Sequence, residues 1–531
     1  MFAFGIPLCL VIINKNMTKK PFFVTTPIYY SNWIPHIWHS YSSFIADIIA
    51  KYKKISWFEV KFSTWVDENS QKVVEKAQEN NMQVMDYADA MALKHKEVWD
   101  WLKIGYTDFI RTTESRHHKL VQEVLQKSFD KWDIYEWVYE WLYCVWCEAY
   151  KKPSDLNEQG CCPDHLTKPQ VIKEKNWFFA LSKYQSVLEE FYENNKDFII
   201  PNYRANEVTE FIKWWLEDFS ISRESNKFWI PLPFDPTQVT YVWYDALFNY
   251  ITVCLNWDEK FWPANLHIVG KDIIRFHAIF WPAMLISAWY ELPKNILATW
   301  FFTVNGQKIS KTLGNVIDPV EFSKKYSRDM LVLYLLSAFP IGQDWDFSEE
   351  QAITMFNAKM ANTLGNLVNR VVVLTLKLEE TELKWDFDNK SVEKRHPEIK
   401  FSEIDEELET LKKDYIANMD SYDLKWALDK VFAFLNNLNT YMNATSPWEM
   451  FSDIDKKKSD VRDILFTVAE CLRVTWLCLF PFFEEKMTEM FMRLWLNEYP
   501  KMLKEWMLKE LINKGEIFVI KEKWNPLYPR I

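Results

Sequence analysis

The chain has 531 residues, more than one hydrophobic core ordinarily serves, so two or three domains are expected. Its formal net charge is −11, which leaves any nucleic-acid partner to be met by a local basic patch rather than by bulk charge. Eight cysteines in a chain of this length do not suggest a disulfide scaffold, and the clustering of four of them between positions 144 and 162 points to metal.

The first sixteen residues, "MFAFGIPLCLVIINKN", are apolar but lack the basic start and cleavage site of a signal peptide. They are also too short for a membrane span of about 20 residues. Met17 is the better start, so residues 1–16 read as a mis-assigned N-terminal extension of a cytoplasmic protein. "FFVTTPIYY" (22–30) is β-branched and aromatic, a buried strand. "SYSSFIADIIAKYKK" (40–54) has helical spacing and "FEVKFST" (58–64) is a second strand, followed by the acidic "WVDENSQK". Strand, helix, strand predicts a parallel α/β sheet. Residues 116–130 are helical. The pattern resumes at "VTYVWYDALFNYITV" and at "NLHIVGKDIIRFHAIFWPAML", which reads as strand, turn and helix. Beyond about 350 only amphipathic helix is expected, interrupted by a charged loop over 385–406.

Glycine is scarce and tryptophan abundant. The 9 glycines and 28 tryptophans together make 37 of 531 residues, close to the roughly 7 % usual for glycine alone.

Four groups of residues carry chemistry. His36-Ile37-Trp38-His39 follows a strand and opens a helix, where imidazoles and the helix N-terminus suit a nucleotide phosphate. Taken alone, the quartet reads as two surface histidines. "NGQKISKTLGN" (305–315) places Lys308 and Lys311 around Ser310 in a loop between glycines, suited to neutralising charge that grows on a phosphate in the transition state. Cys144 and Cys147 form a C-x2-C pair, and Cys162 and His165 a C-x2-H pair. Tetrahedral Zn²⁺ takes four such ligands, with Cys161 an alternative to Cys162. "LGNLVNR" and "TSPWE" lie in the helical part.

The pairing of "PHIxH" with "KISKT" some 270 residues later resembles the two signatures of class I aminoacyl-tRNA synthetases. "TTPIYYSNWIPHIWHSY", "TWVDENSQK", "DFIRTTE", "YVWYDAL", "VGKDIIRFHAIFWPAML" and "KISKTLGNVIDP" resemble the methionyl-tRNA synthetase family, over nearly the whole chain from Thr18 to "NPLYPRI". The resemblance implies a Rossmann-type parallel-sheet catalytic domain with a zinc-knuckle insert, followed by an all-α anticodon-binding bundle. The catalytic domain covers 17–131 and 237–350, the insert 132–236 and the helical domain 351–531. It implies methionine–tRNA ligase activity with ATP, L-methionine and tRNA(Met), Mg²⁺ accompanying ATP, and structural Zn²⁺. His36, His39, Lys308 and Lys311 are then catalytic, and Asp272 and Ser310 join them around ATP. Pro27, Ile28, Tyr30, Asp67, Trp243, Ala246, Tyr250, Ile273 and His277 hold methionine, with Asp67 facing the ammonium. The family's CPxH phrase favours Cys162 over Cys161. Asn366, Arg370 and Trp448 meet anticodon bases. No membrane partner is expected. A dimerising C-terminal module of some relatives has no counterpart after "YPRI", which favours a monomer.

Against the family pattern, Trp38, Trp65, Trp132, Trp137, Trp141, Trp146, Trp214, Trp215, Trp229, Trp300 and Trp345 fall on glycines, whereas Trp243, Trp262, Trp281 and Trp448 fall on tryptophans. Glycine and tryptophan share no physics. The one-way exchange reads as UGA glycine codons translated as tryptophan. Two other functions fit less: a synthetase for leucine, isoleucine or valine, whose editing insert is larger, and an inert tRNA-binding relative disabled by Trp38.

Overall fold

The computed structural model describes residues 18–146, 149–151, 155–163, 166–224, 229–255, 258–299, 302–304, 306–308, 315–343, 345–379, 382–383, 401–493, 508, 518–520 and 527–531. The strand β1 (Lys20–Thr25) buries its last four residues. It leads through an irregular stretch into α1 (Ile37–Ile55), whose Tyr41, Phe44, Ile45, Ile48, Ile49 and Tyr52 repeat at helical spacing and are buried. Lys53 and Lys54 in its last turn suit the negative end of the helix dipole. β2 (Phe58–Val66) returns parallel to β1, with Val24 opposite Phe62. Helices α2 (Gln71–Glu79) and α3 (Val84–Trp101) cross to β3 (Asp108–Arg111), and α4 (Ser115–Asp130) follows.

A second sheet of order β5-β4-β6-β8 is antiparallel: β4 (Ile134–Cys144), β5 (Ala149–Lys151), β6 (Gln170–Phe179) and β8 (Phe219–Ser220). Between β6 and β8 lie α5 (Gln185–Asn194), the short strand β7 (Ile199–Ile200) and α6 (Ala205–Lys213). A ribbon of β9 (Ser222–Arg223) and β10 (Val239–Thr240) leads to α7 (Val242–Asp245), α8 (Asn249–Thr252), β11 (Leu266–Gly270), α9 (Trp281–Ser287) and β12 (Ile296–Thr299). A small sheet joins β13 (Phe302–Val304) to β14 (Gln307–Lys308) and β15 (Trp345–Phe347). α10 (Pro319–Lys325) and α11 (Arg328–Ser337) fill the connection. After α12 (Glu349–Phe356) and α13 (Asn366–Lys377) come long helices over Phe401–Asp420, Leu424–Thr445, Ile454–Leu479 and Glu484–Arg493.

The central sheet has the order β3-β2-β1-β11-β12-β7, with every pairing parallel. The chain runs outward from β1 in one direction and from β11 in the other. The strand order therefore reverses between those two, and in doubly wound sheets the crevice at that reversal is where ligands bind. Two hydrophobic clusters cover the sheet; one of them continues from α1 and α11 into the helical part, through Tyr415, Leu428, Leu465 and Trp476.

Three expectations are revised. The strand expected over 22–30 ends at Thr25, because Pro27 lacks the amide a ladder needs. Segment 132–236 is not wholly an insert: β7 lies inside it and forms the edge of the central sheet beside β12, and Tyr192 of α5 donates to the carbonyl of Ala278 at 2.6 Å. The charged stretch 385–406 is helical from Phe401, its earlier part lying outside the described residues, and beyond 350 a two-stranded ribbon pairs Glu382–Leu383 with Phe518–Val519. Residues 1–17 also lie outside the described residues. Among the described residues no helix is long and apolar enough to cross a membrane.

Candidate active site

A cavity of about 390 Å³ opens where the strand order reverses. Residues that follow β1 (Pro27, Ile28, Tyr30, His36, Trp38, His39) and residues that follow β11 (Gly270, Asp272, Ile273) line it together. At Gly270 a Cβ would stand 2.5 Å from Oδ1 of Asp272 in the same loop.

His36 caps α1 in extended backbone conformation. Its Nδ1 accepts from the Trp38 amide at 3.3 Å, and its own amide donates to His39 Nδ1 at 3.1 Å. The two rings lie 4.1 Å apart. With both Nδ1 atoms accepting, each neutral ring carries its proton on Nε2, the tautomer that donates to a phosphate oxygen. Burial holds the His39 pKa well below the usual range, helped by His36 and His95 nearby, so His39 acts as a neutral donor. Behind it the buried Tyr29 hydroxyl bridges the His39 carbonyl and Ser43 Oγ at 3.2 and 2.9 Å.

The loop expected to carry the second signature leaves β14, whose Lys308 pairs with Thr303 across the hairpin. Ser310 and Lys311 lie outside the described residues, as does the Lys308 side chain. The far end of that loop returns to the cavity: Val316 lines it, and the Ile317 carbonyl accepts from the Ile37 amide at 3.1 Å. Both histidines and the exit of the lysine loop therefore meet at the N-terminus of α1.

Asp67 lies just beyond β2, fully buried, with Oδ1 accepting from the Asn69 amide and the Thr112 hydroxyl at 3.1 Å each. A backbone bridge joins it to Tyr30. Asn69 Nδ2 in turn donates to Asp245 Oδ2 at 3.0 Å, and Thr240 donates to the same oxygen at 2.9 Å. Burial, with the negative Asp67 nearby, raises the Asp245 pKa well above the carboxylate range. Asn69, Thr112, Thr240 and Asp245 fix the carboxylate loop and escape a reading by motif, although Asp245 sits inside "YVWYDAL".

The apolar residues expected around methionine form one aromatic nest. Trp243 stacks on Phe276 at 3.6 Å, and Ala246 and Tyr250 are buried below. His277 Nδ1 lies 3.0 Å from the Ile273 carbonyl, which only accepts, so Nδ1 carries the proton and Nε2 accepts from the Tyr250 hydroxyl at 3.0 Å. Burial lowers the His277 pKa to about 4, consistent with the neutral ring. Trp65 is buried against this nest: its ring meets Tyr250 edge-on at 5.6 Å and its Nε1 donates to the Thr26 carbonyl at 3.3 Å. Asp67, Trp243, Ala246, Tyr250 and His277 accordingly sit beside the open cavity rather than on its wall. Tyr29, Asn32, Trp33 and Ser42 line the wall unforeseen; all fall within or next to the quoted "TTPIYYSNWIPHIWHSY".

Of the expected metal ligands, Cys144 ends β4 and Cys162 opens a turn closed by the Leu166 amide on its carbonyl at 2.8 Å; both thiols are buried. Cys161 is partly exposed. Cys147 and His165 lie outside the described residues, among which no group of three or more metal-ligating side chains occurs. In the helical part Asn366 and Arg370 lie one turn apart on α13. Arg370 donates to Asn443 Oδ1 at 2.8 Å, and its guanidinium stands 5.5 Å from the ring of Trp448, which is 37 % exposed and thus not a core residue.

The family model described as "tRNA synthetases class I (M)" matches residues 22–168 and 147–372. The methionine–tRNA ligase of Thermotoga maritima is 38 % identical over 487 residues, 90 % of this chain and 76 % of that protein. That of Fusobacterium nucleatum is 37 % identical over 530 residues, 97 % of this chain and 80 % of that one. The structure of Mycobacterium tuberculosis methionyl-tRNA synthetase in complex with methionyl-adenylate superposes with a TM-score of 0.89 at 30 % identity, covering 96 % of this chain and all of that one.

Proposed function

The chain belongs to the methionyl-tRNA synthetase family of class I, whose members are ATP-dependent aminoacyl-tRNA ligases, and from that premise we propose that it activates L-methionine with ATP and transfers the methionyl group to the 3′ end of tRNA(Met). The observation that carries this reading is the cavity at the reversal of strand order, with His36, His39 and the return of the lysine loop gathered at one helix N-terminus. In the first step a carboxylate oxygen of methionine attacks the α-phosphorus of ATP, the bond to the β-phosphate bridge breaks, and pyrophosphate leaves with Mg²⁺. His36 and His39 donate from Nε2 to phosphate oxygens, and Lys308 and Lys311 neutralise the charge that grows there. Ser310 and Asp272 complete the nucleotide site. Asp67 holds the ammonium, and Pro27, Ile28, Tyr30, Trp243, Ala246, Tyr250, Ile273 and His277 enclose the thioether chain. In the second step the terminal ribose hydroxyl attacks the acyl carbon and AMP departs. No side chain forms a covalent bond.

Three finer readings accompany it. Cys144, Cys147, Cys162 and His165 suit a tetrahedral Zn²⁺ that would tie the two turns of the insert together, and the burial of the Cys144 and Cys162 thiols supports it. Asn366, Arg370 and the exposed Trp448 present an amide, a guanidinium plane and an indole, the groups that read unstacked bases. Trp38 and Trp65, which occupy the cavity wall and the aromatic nest, stand for glycine codons. ATP–pyrophosphate exchange with each aliphatic amino acid tests the central claim: exchange with methionine is expected. Exchange with leucine, isoleucine or valine instead, or none alongside retained tRNA binding, would replace it.

A further inference from the structure

Among the described residues eight helices end in a residue at positive φ immediately beyond the helix cap: α1 at Trp57, α2 at Asn81, α3 at Lys103, α4 at Trp132, α6 at Trp215, α9 at Trp289, α13 at Glu379 and the helix Phe401–Asp420 at Tyr422. This is the position where helices most often place glycine, since a side chain there clashes with the following carbonyl. None of the eight is glycine, and four are tryptophan, in a chain where tryptophan is 28 of 531 residues. The φ values are 70° at Trp57, 62° at Trp132, 68° at Trp215 and 61° at Trp289.

The hydrogen bonds around these residues show that the left-handed turn belongs to the fold. The Trp132 amide donates to the Phe129 carbonyl at 2.9 Å and the Asp133 amide to Ser128 at 3.0 Å. The Trp289 amide donates to Ile286 at 3.3 Å and the Tyr290 amide to Leu285 at 2.9 Å. Both are the paired closure of a Schellman motif, which requires the left-handed residue. Three of the indoles find little burial: Trp132, Trp215 and Trp289 are 82 %, 74 % and 71 % exposed, while Trp57 is half-buried. Lysine ammonium groups approach the rings of Trp57 (Lys19, 4.3 Å) and Trp289 (Lys131, 5.7 Å). A ring left mostly in water gains little there to offset a left-handed backbone.

We infer that glycine is the residue these four positions are built for, and that the gene carries UGA, read as glycine in its own host, at Trp57, Trp132, Trp215 and Trp289. Nothing in the sequence motifs singles out Trp57 or Trp289; backbone geometry alone assigns them. Trp281 supplies the contrast. Its backbone is ordinary right-handed helix at φ −59°, where nothing calls for glycine, and UGG is expected there. Lys103 and Glu379 occupy the same helix-end position, so the chain tolerates a side chain there. The inference rests on tryptophan's excess at these ends and not on an absolute bar.

Two measurements test it, and neither depends on ligase activity. The codons at the four positions are read from the gene: UGA at all four with UGG at Trp281 is expected, and UGG at the four overturns the inference. The full chain is then made with tryptophan at every position and with Trp57→Gly, Trp132→Gly, Trp215→Gly and Trp289→Gly together. The folded-to-unfolded ratio is expected to rise about fivefold per site, seen as a melting temperature several degrees higher. Should the all-tryptophan chain not fold in isolation, recovery of soluble, cooperatively melting protein by the four exchanges is the supporting result. A lower or unchanged melting temperature, or no recovery, overturns it.

Discussion

The amide of Ile37 donates to the carbonyl of Ile317 across 280 positions of sequence. It ties the return of the loop expected to carry the lysines to the first turn of the helix that carries both histidines. Ile37→Pro removes this donor at the one helical position where proline is tolerated, and His36 before it is already extended. The expected result is a tenfold or greater loss in kcat for exchange, with ATP affinity little changed. Ile37→Val, which trims the same buried side chain but keeps the donor, should lose only stability, about 1 kcal/mol. Equal losses in kcat for both variants would remove the coupling.

Trp38 narrows the nucleotide cavity from the second helical position. Trp38→Gly should raise kcat/KM for ATP at least tenfold, about 1.4 kcal/mol in transition-state terms. Glycine there costs helix stability of up to about 1 kcal/mol, so the melting temperature should not rise with the activity. Steady-state exchange at varied ATP decides it, and an unchanged KM would show that the ring does not stand in the path of the nucleotide.

Tyr250→Phe takes the donor from His277 Nε2 and leaves a buried acceptor bare, a loss of about 1–3 kcal/mol. Because that pair belongs to the aromatic nest and not to the phosphate end, the KM for methionine should rise while that for ATP stays within twofold. A rise shared equally by both substrates would place the hydroxyl elsewhere in the mechanism.

Burial lowers the pKa of His95 to about 4, His277 to about 4 and His117 to about 3. Each is held below its unfolded value of about 6.5. Their contribution to stability is therefore complete above pH 6.5 and is lost as pH falls toward 4, because the unfolded chain binds protons that the folded one refuses. Asp245, whose pKa is raised, titrates in the opposite sense, so variants are compared rather than the absolute curve. His95→Gln keeps a donor for the Trp33 carbonyl and should flatten the fall in urea midpoint between pH 6.5 and 4 by up to one proton's share, about 1.4 kcal/mol per pH unit. An unaltered slope would mean that His95 is not buried neutral.

Protein purified without added metal should hold about one Zn²⁺ per chain by elemental analysis. Cys147→Ser should abolish that content while Cys161→Ser preserves it, since Cys161 is partly exposed and Cys162 is fully buried. Loss with Cys161→Ser instead would exchange the two neighbours.

Much of this was legible in the residues. The β1–α1–β2 unit follows from aromatic and β-branched runs flanking a helical repeat, and His36 as a cap follows from its place between strand and helix. What escaped is non-local. Nothing in "FII" announces that Ile199–Ile200 will complete a sheet begun at Lys20, because a two-residue edge strand carries no periodicity. Asp245 lies in an apolar run with no local sign of a partner, and only folding sets it behind Asn69. Helix ends at Trp57 and Trp289 were invisible because tryptophan, unlike glycine, carries no signal for a left-handed helix end.

The pairing of β1 with β11, Val24 beside Leu266, has a bearing on how the molecule is made. The first strand leaves the ribosome 242 residues ahead of its inner neighbour, roughly ten to fifty seconds at about 5–20 residues per second. Through that interval the apolar edge of Phe22 to Val24 has only β2 for company, and the rest is an open template for other chains. The architecture that puts the crevice at the middle of the sheet thus also makes the middle a late seam to close, so the β1 edge of a nascent chain stays open to aggregation until β11, which ends at Gly270, has emerged.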